Sequence, residues 1–321
     1  MIRRTFLLAL GIVSTLAVTT CLAQLPAKPI TLIVPFAAGG NLDLVARIIA
    51  QPMAQLLGQS VVVQNKAGAG GAIGASEVAR AEPDGSTLLV STPNAIVVLP
   101  KMAPTTYDIN SFASVGLIAS TSQVLVIKAD NPKFQTMAQF LTYVKSNPGK
   151  VSIAHSGIGT TNHVAIMQLQ SVAGLDMNVV AYKGSGPAII DLLGGQIDVL
   201  LDQLSSSINN IKTGRARALT VLSNERDPLL PEAPGTKEVG LVALDVSTTT
   251  GLLAPANTPP ATLALLHTAL EKVLQDPQVK EQLLRVGSLA RPGSAEVFTN
   301  MLQKEEAQAK VLAATGKLKA D

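Results

Sequence analysis

Along most of the chain, short apolar runs alternate with stretches whose apolar positions recur at helical spacing. "ITLIVPF" (30–36) precedes the helical pattern "LDLVARIIAQPMAQLLG" (42–58), and "VVVQN" (61–65) precedes "GAGGAIGASEVARA" (68–81). "STLLVST" (86–92) follows the turn "EPDG" (82–85). Strands alternating with helices predict a parallel α/β sheet, whose ligands gather where strand ends meet helix N-termini. The rhythm restarts after residue 123 with "VLVIKA", "MAQFLTYVKSNPG", "VSIAHSG" and "HVAIMQLQSVAG". It continues through "MNVVAYKGSG", "PAIIDLLGG", "QIDVLLDQ" and "RALTVLS", a second α/β unit. Beyond "STTTGLLAPANTPPA" the pattern is helical to the end, with Pro and Ser at helix starts and Gly at helix ends. A tail without strands of its own must pack on the first unit. The chain then crosses between two lobes near residues 123 and 248, which makes a hinge.

The first residues change the picture of where the protein works. Arg3 and Arg4 precede an apolar stretch from Thr5 to Val18, too short for a comfortable membrane span, and small residues follow it. This reads as a secretory signal at 1–23, cleaved near Ala23, and predicts a periplasmic protein. The rival reading, a lipid anchor on Cys21, is disfavoured by Thr20 in the preceding position. Cys21 is the only cysteine, so the mature chain has neither disulfides nor thiol chemistry. His155, His163 and His267 show no paired-ligand spacing, and no metal or cofactor is expected. Loss of Arg3 and Arg4 brings the formal charge from +3 to +1, with 23 basic residues against 22 acidic ones. So even a balance excludes an electrostatic footprint for nucleic acid. The remaining length, roughly 300 residues, suits two lobes better than one core.

The candidate chemistry sits in glycine-rich turns between strands and helices. "PFAAGGNLD" (35–43) brings Gly39 and Gly40 to a helix start, where backbone N–H groups lack intrahelical acceptors and the dipole favours an anion. A carboxylate site and a tight packed turn are equally open readings of this segment alone. Asp43 reads as a first-turn charge for the helix. "AHSGIGTTNH" (154–163) repeats the arrangement in the second lobe with Ser156, Gly157, Gly159, Thr160 and Thr161, and "YKGSGPA" (182–188) is a third candidate. Lys183 is either a counter-charge for a carboxylate or a solvated lysine. "AHSGI" is not a nucleophile elbow, because Ala154 and Ile158 stand where glycines are needed. "GAGGAIG" (68–74) has Ile73 at the third glycine of a dinucleotide fingerprint. His163 reads as a packed or capping residue and His267 as structural. An exported hydrolase or transferase using Ser156 remains the alternative from another class.

Taken in order, these segments resemble the Bug-type, TctC-like extracytoplasmic receptors of tripartite tricarboxylate transporters. The resemblance runs from "KPITLIVPFAAGGNLDLVARIIAQPMAQLLG" through "SGIGTTNH" and "AYKGSGPAIIDLLGGQIDVLLDQL" to "GLLAPANTPPATLALLHTALEKVLQDPQVKEQL". It implies a two-lobe periplasmic-binding-protein fold of type II kind, each lobe a mixed sheet flanked by helices, with two hinge crossings. Lobe 1 would comprise 24–123 and 248–321, and lobe 2 would comprise 124–247. It also implies a non-enzymatic monomer that presents a small organic carboxylate to membrane permease subunits, or alternatively to a membrane sensor. By the same resemblance the ligand sits between Phe36, Ala38, Gly39, Gly40, Asn41 and Asp43 on one side and Ser156, Gly157, Gly159, Thr160 and Thr161 on the other. Thr92 and Asn94 in "STPNA" would line the first lobe. Ser185 and Asp202 would line the second, with Asp202 receiving a ligand amino or hydroxyl group or, equally, capping a helix. Two departures stand out: Leu42 replaces the family's hydroxyl residue in the first turn, and Thr248 to Thr250 replace an aromatic after the second crossing. Both point to a ligand less polar than citrate, a monocarboxylate or an acid with an apolar or aromatic body.

Overall fold

The computed structural model describes residues 25–314 and Leu318; the expected signal segment and Cys21 lie outside the described residues. The first half of the chain builds β1 (Ile30–Val34), α1 (Asn41–Leu57), β2 (Val61–Asn65), α2 (Ala72–Ala79) and β3 (Thr87–Ser91). Two short helices follow, α3 (Pro93–Val97) and α4 (Leu99–Met102), and then the long strand β4 (Phe112–Lys128). The middle of the chain forms α5 (Met137–Ser146), β5 (Ser152–His155), α6 (Thr161–Ala173), β6 (Asn178–Ala181) and α7 (Ser185–Leu193). It continues with β7 (Val199–Gln203), α8 (Leu204–Lys212) and β8 (Ala216–Val221). The last part holds β9 (Ser247–Pro255), α9 (Pro260–Gln275), α10 (Pro277–Arg285), β10 (Leu289–Ala290) and α11 (Ala295–Ala314).

All strands belong to one continuous sheet whose path runs β2-β1-β3-β9-β4-β7-β5-β6, with β8 and β10 also paired to β4. β1 is parallel to β2 and β3, and β5 is parallel to β6 and β7. Every partner of β4 is antiparallel, so both halves of the sheet are mixed. β4 joins the halves: Phe112 to Ser122 pair with β9, while Gln123 to Lys128 pair with β7 and β8. The chain returns where Val246 N–H still bonds to Leu222 O and Ser247 already pairs with Ser122.

Strand periodicity explains why helices cover both faces of each half. Ile30, Leu32 and Val34 enter one apolar core with Leu88 and Val90, while Ile33 and Leu89 enter the core on the opposite face. In the other half Leu125, Ile127, Val199 and Leu201 share one core, and Val124, Val126 and Leu200 share the other. Side chains alternate across a strand, so a continuous apolar run fits only a sheet buried on both sides. β2, at the edge, is half exposed instead. α1 buries Leu42, Val45, Ala46, Ile49, Ala50 and Met53, a stripe at helical spacing, and Gly58 ends it in the left-handed conformation. Each large buried side chain in that stripe contributes on the order of 1.5–3 kcal/mol. α9 packs on α1 and β4, and α11 packs on β4 and α3. β9, at the centre of the sheet, is the segment "STTTGLLAP" that precedes the helical tail, and the tail itself, expected to be without strands, adds the two residues of β10 beside β4.

Candidate ligand-binding site

A cavity open at its mouth lies between the two halves, lined by Phe36, Ala37, Gly40 to Asp43, Thr92, Ser156, Thr160, Thr161, Gly184, Ser185 and Gln203. It measures about 370 Å³ counting the space at its mouth, of which about 20 Å³ is open to the centre of a water molecule. Five of these residues are helix N-caps: Gly40 for α1, Thr92 for α3, Thr160 for α6, Gly184 for α7 and Gln203 for α8. No side chain caps α1 or α7, so their first backbone N–H groups have no side-chain acceptor. Thr160 caps α6 by accepting from His163 N–H at 3.4 Å. No lysine, arginine or histidine lines the cavity. Backbone donors at helix starts with their positive dipole ends, unaccompanied by fixed cations, make an environment for a small anion.

The first-lobe turn is braced by the side chains of Asp43, Arg47 and Asn65, of which Asp43 itself lines the cavity. Gly39 N–H donates to Asp43 Oδ2 at 3.0 Å, and Arg47 Nε donates to Asp43 Oδ1 at 3.0 Å. Arg47 also donates to Asn65 Oδ1, and Asn65 Nδ2 donates to Phe36 O at 3.0 Å. Burial opposes the ionisation of Asp43, but the hydrogen bonds from Arg47, Gly39 and Asn65 together outweigh it and hold its pKa below the ordinary carboxylate value. Asp43 is thus neutralised by its own helix and stabilises the turn.

On the other side a buried polar network supports the wall. Ser156 Oγ donates to Asn162 Oδ1 at 2.6 Å, and Asn162 Nδ2 donates to Gln123 Oε1 and Leu201 O. Gln123 Nε2 in turn bonds to Thr248 Oγ1, so the network reaches both strands that cross between the halves. His155 and His163 stack with ring centroids 4.4 Å apart. Burial drives the His155 pKa down to about 3, aided by His163 and opposed by its contact with Gly157. Neither ring accepts from Ser156, whose proton goes to an amide, so no base activates this serine.

The halves touch along a seam beside the cavity. Ala37 N–H donates to Lys183 O at 2.9 Å, and Asn41 accepts from Ser205 Oγ at 2.7 Å while donating to Thr250 Oγ1 at 3.1 Å. Gly184, at φ 136°, brings its backbone so near Ala37 that an added Cβ would lie 2.9 Å from Ala37 N. No residue with a side chain fits that turn without strain.

Nine of the residues singled out in the sequence line the cavity: Phe36, Gly40, Asn41, Asp43, Thr92, Ser156, Thr160, Thr161 and Ser185. Ala38 and Gly39 pack on Gly186 at the seam instead. Gly157 and Gly159 pack against Gly70 and Leu99. Asn94 faces a separate cleft and accepts from Thr161 Oγ1 at 3.4 Å. Asp202 neither faces the cavity nor caps a helix. It lies next to the end of β7, fully buried behind the wall, accepting from Ser185 Oγ at 2.5 Å and Ser207 Oγ at 2.6 Å. Lys183 is exposed and contributes only its carbonyl. Ala37 and Gly184, inside two of the candidate turns but not named individually, and Gln203 also line the cavity, and Leu42 supplies apolar wall. Gln203 was detectable as the polar residue next to Asp202 at a strand end. Among the described residues there is no cluster fit to hold a metal and no helix long and apolar enough to cross a membrane.

Two mixed α/β halves closed around such a cavity define a solute-binding receptor of the periplasmic-binding-protein class. The chain belongs to the tripartite tricarboxylate transporter family of receptors, whose TctC family model matches residues 45–316. It is 38% identical over 309 residues to the UPF0065 protein of the tcbD-tcbE intergenic region of Pseudomonas sp. strain P51, covering 94% of this chain and 91% of that one. Three solved structures are similar. The periplasmic binding protein BugD is 33% identical, with a TM-score of 0.86 over 92% of this chain and 99% of its own. MatC of Rhodopseudomonas palustris with bound malate is 31% identical, with a TM-score of 0.85 over 90% and 99%. An R. palustris protein with adipate is 29% identical, with a TM-score of 0.85 over 90% and 97%. These are solute-binding proteins, and the chain is a receptor of that kind rather than an enzyme.

Proposed function

We propose that the protein captures a small organic carboxylate in the periplasm by closing lobe 1 (24–123 and 248–321) on lobe 2 (124–247). It then hands the solute to the membrane subunits of a tripartite transporter as a monomer. The observation that carries this reading is the convergence of the α1, α6, α7 and α8 N-termini on one cavity that no cationic side chain lines. Charge-assisted hydrogen bonds from such donors contribute roughly 1.5–3 kcal/mol each. Donors on both lobes are satisfied together only when the cleft is shut, which couples recognition to closure. The bound malate and adipate of the two relatives support the ligand class. Phe36 and Leu42 provide apolar contact for the ligand's carbon skeleton.

A thermal-shift screen of the signal-free protein against short mono- and dicarboxylates tests the assignment. A ligand at about a hundred times its Kd adds roughly 2.7 kcal/mol and raises the melting temperature. Silence toward every carboxylate, persisting after unfolding and refolding to remove any carried-over ligand, would overturn it.

A further inference from the structure

The cavity's second-lobe wall offers its ligand a hydrogen-bond acceptor, and the orientation of every proton that leads to this result is fixed by the network behind it. Leu201 O is a backbone carbonyl and can only accept, so the Asn162 amide must present Nδ2 to it, at 3.1 Å. Asn162 Oδ1 therefore faces Ser156 Oγ at 2.6 Å and Gln203 at 3.1 Å. Gln203 must answer with Nε2, which turns its Oε1 the other way, to 3.2 Å from Ser185 Oγ. Ser185 has one proton and two candidate acceptors, this amide oxygen and Asp202 Oδ1 at 2.5 Å. The carboxylate is the closer and the charged one, so it takes the proton. Asp202 has no freedom to release it, being fully buried with its other oxygen occupied by Ser207.

Ser185 Oγ and Gln203 Oε1 are thus two oxygens at hydrogen-bonding distance with no proton between them, both lining the cavity. Both residues are buried, 3% and 7% exposed, so bulk water does not satisfy them. Ser156 and Thr160 likewise spend their protons inside the protein, on Asn162 Oδ1 and on Gly157 O at 2.6 Å. Side-chain lone pairs face the ligand on this wall, while the donors come from the backbone at the helix starts.

Resting on the carboxylate reading of the cavity, we propose that Ser185 and Gln203 form a specificity subsite for a hydrogen-bond donor carried by the ligand beside its carboxylate. The ligand class is accordingly a hydroxy- or amino-carboxylate rather than the plain acid of the same skeleton. A group that donates from the cavity side can serve either oxygen or share its proton between them. A plain methylene leaves them unpaired, and a second carboxylate would face their lone pairs with the Asp202 charge behind them.

The test is a calorimetric comparison of matched triplets on the signal-free protein: succinate, malate and aspartate; glutarate, 2-hydroxyglutarate and glutamate; propionate, lactate and alanine. In whichever skeleton binds, the hydroxy or the amino member should bind about tenfold or more tighter than the plain acid. The better of the two identifies the donor. Ser185→Ala should reduce that preference to within about threefold, read as the ratio between members of one triplet so that any general effect of the variant on the site cancels. If Ser185→Ala does not fold, the triplets on the wild-type protein decide alone. A plain acid binding as well as its hydroxy and amino partners would overturn the subsite and leave the carboxylate assignment standing. Failure of every member of every triplet to bind would overturn both.

Discussion

A Cβ added at Gly186 would sit 2.2 Å from the carbonyl oxygen of Ala38 and 3.4 Å from its carbon. Real Cβ atoms do not approach oxygen that closely, so Gly186→Ala forces the seam apart by roughly 1 Å. The neighbouring bond from Ala37 N–H to Lys183 O, 2.9 Å long, then stretches beyond useful range. Losing that bond and the dispersion contact around it costs about 1–3 kcal/mol of the closed state. Ligand affinity should fall by about 5- to 100-fold, since 1.4 kcal/mol is a factor of ten. The open form carries no such penalty. Gly186 lies in the first turn of α7 without a left-handed φ, and alanine is the better helix residue by up to about 1 kcal/mol. Calorimetric Kd, small-angle scattering with and without ligand, and unliganded melting temperature separate the two effects. The expected result is weaker binding, a ligand-soaked particle that stays more extended, and an unliganded melting temperature that is unchanged or higher. A Kd within twofold of wild type would show that the closed state does not depend on this contact. A melting temperature several degrees lower would make the seam part of the fold rather than of closure.

Three further perturbations follow from the same contacts. Asn41→Ala removes both the Ser205 and the Thr250 bonds, only the first of which spans the lobes, and should weaken binding by about 5- to 30-fold with a smaller effect on unliganded stability; equal losses in both would contradict an interlobe role. His155 and His163 are held neutral by burial, so their share of stability is complete above the ordinary histidine value of 6.5 and is lost as pH falls below it; urea midpoints should drop from pH 7 to pH 5, and less so in His155→Asn. Asp202 has the opposite sign: burial outweighs its hydrogen bonds from Ser185, Ser207 and Gln203 and raises its pKa to about 6, so its share is full below 3.8 and lost as pH rises through 6. Relative to Asp202→Asn, the wild type should therefore lose about 2 kcal/mol between pH 4 and pH 7, and a flat difference would show that the carboxylate is not desolvated.

The helix starts at Asn41, Thr161 and Ser185 were legible in the sequence because glycine and hydroxyl residues sit at the junctions of an apolar run with a helical stripe. The alternation of β1, β3 and β7 between two cores was legible for the same reason, since a continuous apolar run has few other uses. β4 was only half visible. Ser120, Thr121, Ser122 and Gln123 interrupt its apolar pattern where the strand passes between the lobes, and only its second half reads as a strand. Tertiary pairing with β9, β7 and β8 supplies the rest. The two-residue β10 carries no periodic signal at all. Asp202 shows the limit most clearly. Its neighbours in sequence suggest a cap or a ligand contact, whereas its partner Ser185 is 17 residues away and fixes it behind the wall. The network from Asn162 to Gln123 and Leu201 joins residues 39 positions apart and has no local signature. The seam glycines are likewise indistinguishable in sequence from ordinary turn glycines, because the backbone they approach belongs to the other lobe.

We propose that uncapped helix N-termini, and not a cationic side chain, receive the carboxylate. A crystal structure of the protein with a bound short carboxylate tests it most directly. The expected result is carboxylate oxygens about 3 Å from backbone nitrogens at the starts of α1 and α7, with no lysine or arginine in contact. A carboxylate paired with Lys183 or Arg47, or seated outside the cavity, would contradict it.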